Sequence, residues 1–110
     1  MNEVDRRRLQ QNLNRSLAEL EEELALYAPT ERGASEVWAK IAAPLRQRIC
    51  QEWCWCDVRQ DARFENDVDL AAAVLVVLTT RVLHLPLDVD LFLISAILVK
   101  RGLDSFCHCP

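Results

Sequence analysis

The sequence has few of the residues from which catalytic and phosphate-binding sites are built. Only two glycines and two histidines occur among 110 residues. There is no glycine-rich phosphate loop and no nucleophilic serine motif, whereas a catalytic site needs a nucleophile with a base, a metal ion, or paired acids in a pocket. His84 ends an apolar segment, where a packed and hydrogen-bonded histidine is expected. The sequence therefore predicts that the protein is not an enzyme.

Clustered positive charge is also scarce. The formal net charge is −4, and the three arginines of residues 6–8 form the only basic run. The acidic stretch ELEEELA at residues 19–25 follows soon after it. Because general nucleic-acid binding needs a basic face, we expect no nucleic-acid partner.

No apolar run is long enough to span a membrane. The most apolar stretch, residues 69–87, is interrupted by Arg81, His84 and Pro86, and a spanning helix needs about 20 apolar residues. The first residues, MNEVDRRRLQQN, lack the apolar region of a signal peptide, and no basic amphipathic face suits a membrane surface. We therefore expect a cytoplasmic protein for which membrane attachment is unlikely.

The remaining composition is that of a folded domain with many thiols. Hydrophobic residues make up 51% and charged residues 27% of the chain, which predicts one globular domain over residues 1–110. Five cysteines are present. Because cytoplasmic thiols are kept reduced and the count is odd, we predict that these cysteines are not a disulfide framework.

The spacing of apolar residues predicts an all-α fold, a compact bundle of four main helices. The first two helices carry one apolar stripe each, with residues recurring every three or four positions. The second is expected to kink at Pro44, because proline lacks a backbone donor and clashes with the preceding turn. Gly102 is expected to end the fourth helix. The predicted helices are at about residues 5–27, 31–56, 67–84 and 88–101.

The third and fourth predicted helices are apolar nearly all round, which indicates either a central position or an interface. We predict a protein–protein interaction module, an adaptor, regulatory subunit or self-associating domain, that contacts another protein or a second copy. The alternative is a self-contained bundle in which the first two helices cover the other two. The residues expected at the contact surface are Trp55, Leu91, Phe92, Leu17 and Leu24.

Trp55 is the strongest of these candidates. At about 100° per residue, a continuous helix turns it away from the core stripe, and tryptophan is enriched among interface residues that dominate binding. The alternative is that Trp55 packs under the charged connector or the C-terminal tail.

Two cysteine clusters, ICQEWCWCD at residues 49–57 and FCHCP at the C-terminus, raise a different possibility. Zinc is bound by four cysteine or histidine ligands, and helical phase places Cys50 and Cys54 together on one flank, within reach of the tail. The alternative function is therefore a small zinc-binding or thiol-redox regulatory protein, in which the tail could instead form a reversible disulfide. The candidate ligands are Cys50, Cys54, Cys107, His108 and Cys109.

Overall fold

The computed structural model describes residues 2–28 and 33–110, and these are helical without any strand. The all-α prediction is confirmed. None of the helices in these two ranges is long and apolar enough to cross a membrane. The α-helices are α1 (Glu3–Leu13), α2 (Leu17–Ala25), α3 (Ala34–Arg46), α4 (Trp55–Val58), α5 (Asp67–Thr79), α6 (Leu91–Arg101) and α7 (Leu103–Cys107). A π-helical segment (Gln47–Glu52) follows α3, and a 3₁₀ turn (Ala62–Glu65) precedes α5.

The single helix predicted over residues 5–27 is two helices, α1 and α2. Ser16 has an extended backbone, and its hydroxyl accepts a hydrogen bond from the Glu19 amide at 3.1 Å. The Glu19 side chain in turn accepts from the Ser16 amide, which completes a capping box. The leucine spacing continues across the break, so both helices bury their stripe while the Ser-x-x-Glu signal starts a new helix.

The helix predicted over residues 31–56 is also interrupted, and its first two residues lie outside the described ranges. Helix α3 passes through Pro44, and its hydrogen bonding changes only at Gln47. In the π-helical segment, the Trp53 amide donates to the Arg48 carbonyl at 3.0 Å, five residues back. Cys54 then adopts a left-handed backbone with φ 58°, which ends the segment. The prediction of one helix through residue 56 is wrong.

The third and fourth predicted helices are shorter than expected, and a further helix follows them. Helix α5 ends at Thr79, where the hydroxyls of Thr79 and Thr80 donate to carbonyls one turn back. Helix α6 begins at Leu91 because the Asp90 carboxylate caps the Phe92 amide at 2.9 Å. Gly102 ends α6 as predicted, but α7 begins directly after it.

Helix α6 is the central helix, whereas α5 is partly on the surface. The six residues from Leu93 to Leu98 are all buried, and α6 contacts α1, α2, α5 and α7. This position accounts for an apolar sequence on every face. Helix α5 packs against α1 and α6, yet Val76 remains 51% exposed. Val76 is therefore the exposed large apolar side chain of α5, and others lie elsewhere, at Val4, Leu26, Tyr27 and Val82.

A buried arginine ties the π-helical segment to the end of α5. Arg48 is 8% exposed and forms an ion pair with Glu52 at 3.4 Å. Its guanidinium donates to carbonyls that have no partner within the helix, and its positive charge favours the negative end of the helix dipole. The accepting carbonyls belong to Val77 at 3.2 Å, Leu78 at 3.5 Å, Arg81 at 3.2 Å and Val82 at 3.1 Å.

We predict that Arg48→Met lowers the free energy of unfolding by about 3 kcal/mol, because it removes charged hydrogen bonds and leaves buried carbonyls without donors. Arg7→Met is the matched control, since Arg7 is an exposed arginine whose i,i+4 pair with Glu3 measures 3.7 Å. The control should stay within about 0.5 kcal/mol of the parent. Chemical denaturation followed by circular dichroism measures both, and equal losses would contradict a capping role.

Candidate functional site

Two disulfides join the C-terminal tail to the cysteine segment at residues 50–56. Cys50 is bonded to Cys107 and Cys56 to Cys109, with Cα atoms 5.4 Å apart in each pair. The prediction that the cysteines are not a disulfide framework is therefore wrong. It rested on a compartment inferred from the N-terminal residues, and a sequence alone does not give the pairing of cysteines.

Left-handed residues in both segments bring the sulfur atoms together. Cys54, between Cys50 and Cys56, and His108, between Cys107 and Cys109, have φ of 58° and 54°. After α7, the His108 amide donates to Ser105 O at 3.2 Å and the Cys109 amide to Asp104 O at 3.0 Å. This pair of bonds is a Schellman motif with histidine where glycine is usual. It turns the chain so that the two tail cysteines meet two different partners.

The disulfides change what the predicted zinc ligands can offer. Cys50, Cys107 and Cys109 carry no thiolate while the bonds are intact, and Cys54 is a free, exposed thiol. No group of three or more His, Cys, Asp or Glu side chains suited to a metal ion occurs within residues 2–28 and 33–110. The zinc hypothesis therefore concerns only the reduced chain.

Trp55 is buried, which contradicts the predicted exposure. It is 5% exposed, and its indole Nε1 donates to Asp104 Oδ1 of α7 at 2.8 Å. The prediction assumed one helix of constant phase, but the π-helical segment and the left-handed Cys54 rotate the chain before Trp55. The alternative placement, under the connector and the tail, is the one observed, with the ring also 5.5 Å from Phe64.

The other predicted contact residues do not form a common exposed surface. Leu24 is completely buried, while Leu17, Leu91 and Phe92 are partly buried against the core. The Arg8 guanidinium lies over the Phe92 ring, 4.2 Å from its centroid. An interaction role for these residues stays a prediction, but the apolar surface that is open to solvent lies elsewhere.

That surface is a groove of about 470 Å³ between α5, the 3₁₀ turn and the end of the π-helical segment. We call it the α5 groove. Its rim carries Arg6, Arg63 and Asp69. Its walls are apolar and consist of Trp53, Phe64, Ala72, Ala73, Val76 and Val77.

An aromatic cluster forms one wall of the α5 groove. The rings of Trp53 and Phe64 meet edge to face with centroids 5.7 Å apart. Trp55 lies against both, 5.4 Å from Trp53 and 5.5 Å from Phe64. Such ring contacts stabilise by about 0.5–1.5 kcal/mol beyond burial alone. Buried Trp55 therefore supports the two rings that face the groove.

The rim of the α5 groove holds two ion pairs. Arg6 contacts Asp69 at 2.6 Å, and Arg63 contacts Asp61 at 2.8 Å. The hydrogen bonds from Arg63 lower the pKa of the Asp61 carboxyl, and those same bonds raise the pKa of Arg63. Both rim arginines lie partly in solvent.

A smaller cavity of about 160 Å³ extends the α5 groove toward the end of α5. The two share Trp53 and Val77 in their walls. At the far end Arg81 is paired with Glu52. The smaller cavity thus adjoins the α5 groove but has a mainly charged and polar lining of Arg48, Glu52, Thr80 and Arg81.

The sequence interpretation missed the groove residues Trp53, Phe64 and Val76. Trp53 continues the apolar spacing of the second predicted helix and Phe64 lies among charged residues, so neither was predicted to line a surface. The spacing of Ala73, Val76 and Val77 is that of one helix face and was a usable signal, but an all-round apolar sequence does not show which face stays open.

No known protein family, curated protein or solved structure matches this chain. Fold and site alone define its class. It is an all-α domain in which two disulfides fix a short C-terminal helix and an apolar groove runs along one surface helix.

We predict that four cysteines of the purified protein are paired in disulfides and that Cys54 alone reacts with an alkylating reagent. Trypsin without a reductant should release residues 49–59 and 102–110 as one linked species that carries a single label. In a Cys50→Ser and Cys107→Ser double variant the same two peptides should stay linked through Cys56 and Cys109. A Cys50→Ser and Cys109→Ser variant is the mismatched control, because it removes one partner from each bond. Separate peptides from the first variant, measured by mass spectrometry, would contradict the pairing.

Proposed function

We propose that this protein is a helical protein-interaction module whose α5 groove binds an amphipathic helix of a partner protein. The observation that carries the proposal is an open apolar groove walled by Trp53, Phe64 and Val76. Binding a helix in a groove uses apolar anchors at i, i+3 or i+4, and i+7. Helix α5 has 13 residues, about 20 Å at 1.5 Å per residue, which matches three to four turns of a docked helix.

The rim favours a partner helix with acidic flanks. The side chains of Arg6, Arg63 and Arg81 are 44%, 75% and 68% exposed, whereas their carboxylate partners are 41%, 37% and 34% exposed. The guanidinium groups are thus at least as accessible as the acids. Asp or Glu side chains on a ligand can share these arginines, and complementary charge raises the rate and specificity of association.

The charge and apolar pattern also favour a different protein over a second copy. The chain has its own acidic helix, α2, but its leucine stripe is used internally, since Leu20 and Leu24 are completely buried. A folded second copy therefore cannot offer that stripe to the α5 groove. Self-association is kept as an outcome of the test.

The proposed module acts by contact, as an adaptor or regulatory subunit, and we place no chemistry in the groove. A cytoplasmic location remains part of the proposal. The second candidate function, thiol-redox regulation, is supported by one specific observation, the two disulfides that fix α7.

We predict that a library of displayed helical peptides, presented to the oxidised protein, is enriched in peptides with an apolar i, i+4, i+7 stripe and acidic flanks. Val76→Asp should weaken binding of the best peptide at least tenfold, about 1.4 kcal/mol, because it places a charge in the groove wall. Fluorescence polarisation measures the affinity. Val82→Asp is the matched control, since Val82 is 76% exposed and does not line the groove.

Two results would contradict this proposal. One is no enrichment at all, and the other is an equal loss of affinity in the Val76 and Val82 variants. Sedimentation equilibrium of the purified chain tests whether the protein associates with a second copy of itself. A dimer that dissociates in Val76→Asp would identify a second copy as the occupant of the groove and overturn the choice of another protein.

A further inference from the structure

Helix α7 is attached to the domain by two disulfides, by two buried side chains and by polar contacts from Arg46 and Arg59. It has five residues, and helices this short are not stable alone. Leu103 and Phe106 are its buried residues, and Phe106 packs edge-on against Trp38 with centroids 5.8 Å apart. The bonds to Cys50 and Cys56 close sequence separations of 57 and 53 residues. The two disulfides thus add a covalent restraint to the packed position of α7.

A continuous series of contacts leads from α7 to the α5 groove. Asp104 of α7 accepts the indole hydrogen bond of Trp55 at 2.8 Å, and Arg59 pairs with the same carboxylate at 3.2 Å. Trp55 packs behind Trp53 and Phe64, with centroids 5.4 and 5.5 Å away. Those two rings are the aromatic wall of the groove. Release of α7 would remove a hydrogen bond and a covering surface from Trp55.

We propose that the two disulfides are a redox latch, which holds α7 over Trp55 and so keeps the aromatic wall of the α5 groove in its binding geometry. The proposal names the regulation of that groove and therefore rests on its proposed function. In this latch, α7 has two states, docked and released. A discrete two-state element of this kind is what a coupling between distant sites requires.

The reaction is thiol–disulfide exchange with a dithiol reductant. One thiolate of the reductant attacks a sulfur of Cys50–Cys107 and forms a mixed disulfide. This first step releases one of the two cysteines as a thiol. The second thiolate of the reductant then attacks the mixed disulfide and releases the other cysteine. In total, two electrons and two protons convert the bond to two thiols while the reductant becomes a disulfide. Cys56–Cys109 reacts in the same way. All four half-cystines are partly exposed, so a reductant has access to them, and cytoplasmic disulfides are usually of this exchanging kind.

The test uses the full chain carrying Cys54→Ser, which removes the free thiol and prevents shuffling. Its tryptophans are replaced by 5-fluorotryptophan and assigned with single Trp→Phe variants. Fluorine spectra are recorded before and after dithiothreitol, with mass spectrometry to confirm reduction and far-ultraviolet circular dichroism to follow the helices. We expect the Trp55 and Trp53 signals both to shift and to gain a solvent isotope effect, with most helicity retained.

A second variant isolates the contact through which the latch acts. Asp104→Ala removes the acceptor of the Trp55 indole while both disulfides remain. It should shift the Trp55 and Trp53 signals in the oxidised protein. Ser105→Ala, next to it and exposed, is the control and should leave both signals unchanged.

Three outcomes would overturn the latch. Unmoved signals in fully reduced protein would show that α7 stays docked. A Trp55 shift without a Trp53 shift would show that release does not reach the groove. Loss of helicity on reduction would make the disulfides plain structural cross-links. None of these measurements uses a peptide. A failure of the latch can therefore be distinguished from a failure of the α5 groove to bind a peptide.

Discussion

The site depends on one constraint, the covalent attachment of the C-terminal tail to the segment between Cys50 and Cys56. This attachment fixes α7, and α7 brings Asp104 to the indole of Trp55. Trp55 is buried at this contact and packs against two neighbouring rings. The groove is therefore built from residues far apart in the sequence, and under the proposed latch its aromatic wall depends on bonds made outside it.

The same segment is held from its other side by Arg48. Its guanidinium donates to Val77 O in the last turn of α5 and to Arg81 O and Val82 O just beyond that helix, which couples the π-helical segment to the end of α5. The wider turn of a π-helix is a feature often found at functional sites, and here it precedes Trp53 directly. Trp53 thus lies between two attachments of its segment, one to the end of α5 and one to the disulfide-linked tail.

Much of the fold could be predicted from the sequence, because apolar spacing and capping residues act locally. The all-α class and the start of α5 followed from such signals, whereas α6 begins at Leu91 and not near residue 88. The Ser16–Glu19 capping box was also present in the sequence, but the leucine stripe that continues across it favoured a single helix. The rest required tertiary information. The 100° rule fails across a π-helical segment and a left-handed Cys54, which is why Trp55 was placed on the wrong side. Cysteine pairing depends on where the tail lies, and no local pattern encodes that.

The contrast between α5 and α6 is the strongest argument that the groove is a binding surface. Both helices are strongly apolar, but α6 needs its apolar residues because other helices surround it. On α5, Val76 is 51% exposed, whereas Ala72 is buried and Ala73 and Val77 are partly buried. Scattered exposed valines need no explanation, but here an exposed valine lies beside two half-buried aromatic rings and below accessible arginines. Helix α5 packs against α1, α6, the π-helical segment and the 3₁₀ turn, and Val76 is left exposed beside these contacts. Under the proposed function, a partner helix covers this side chain and the two rings.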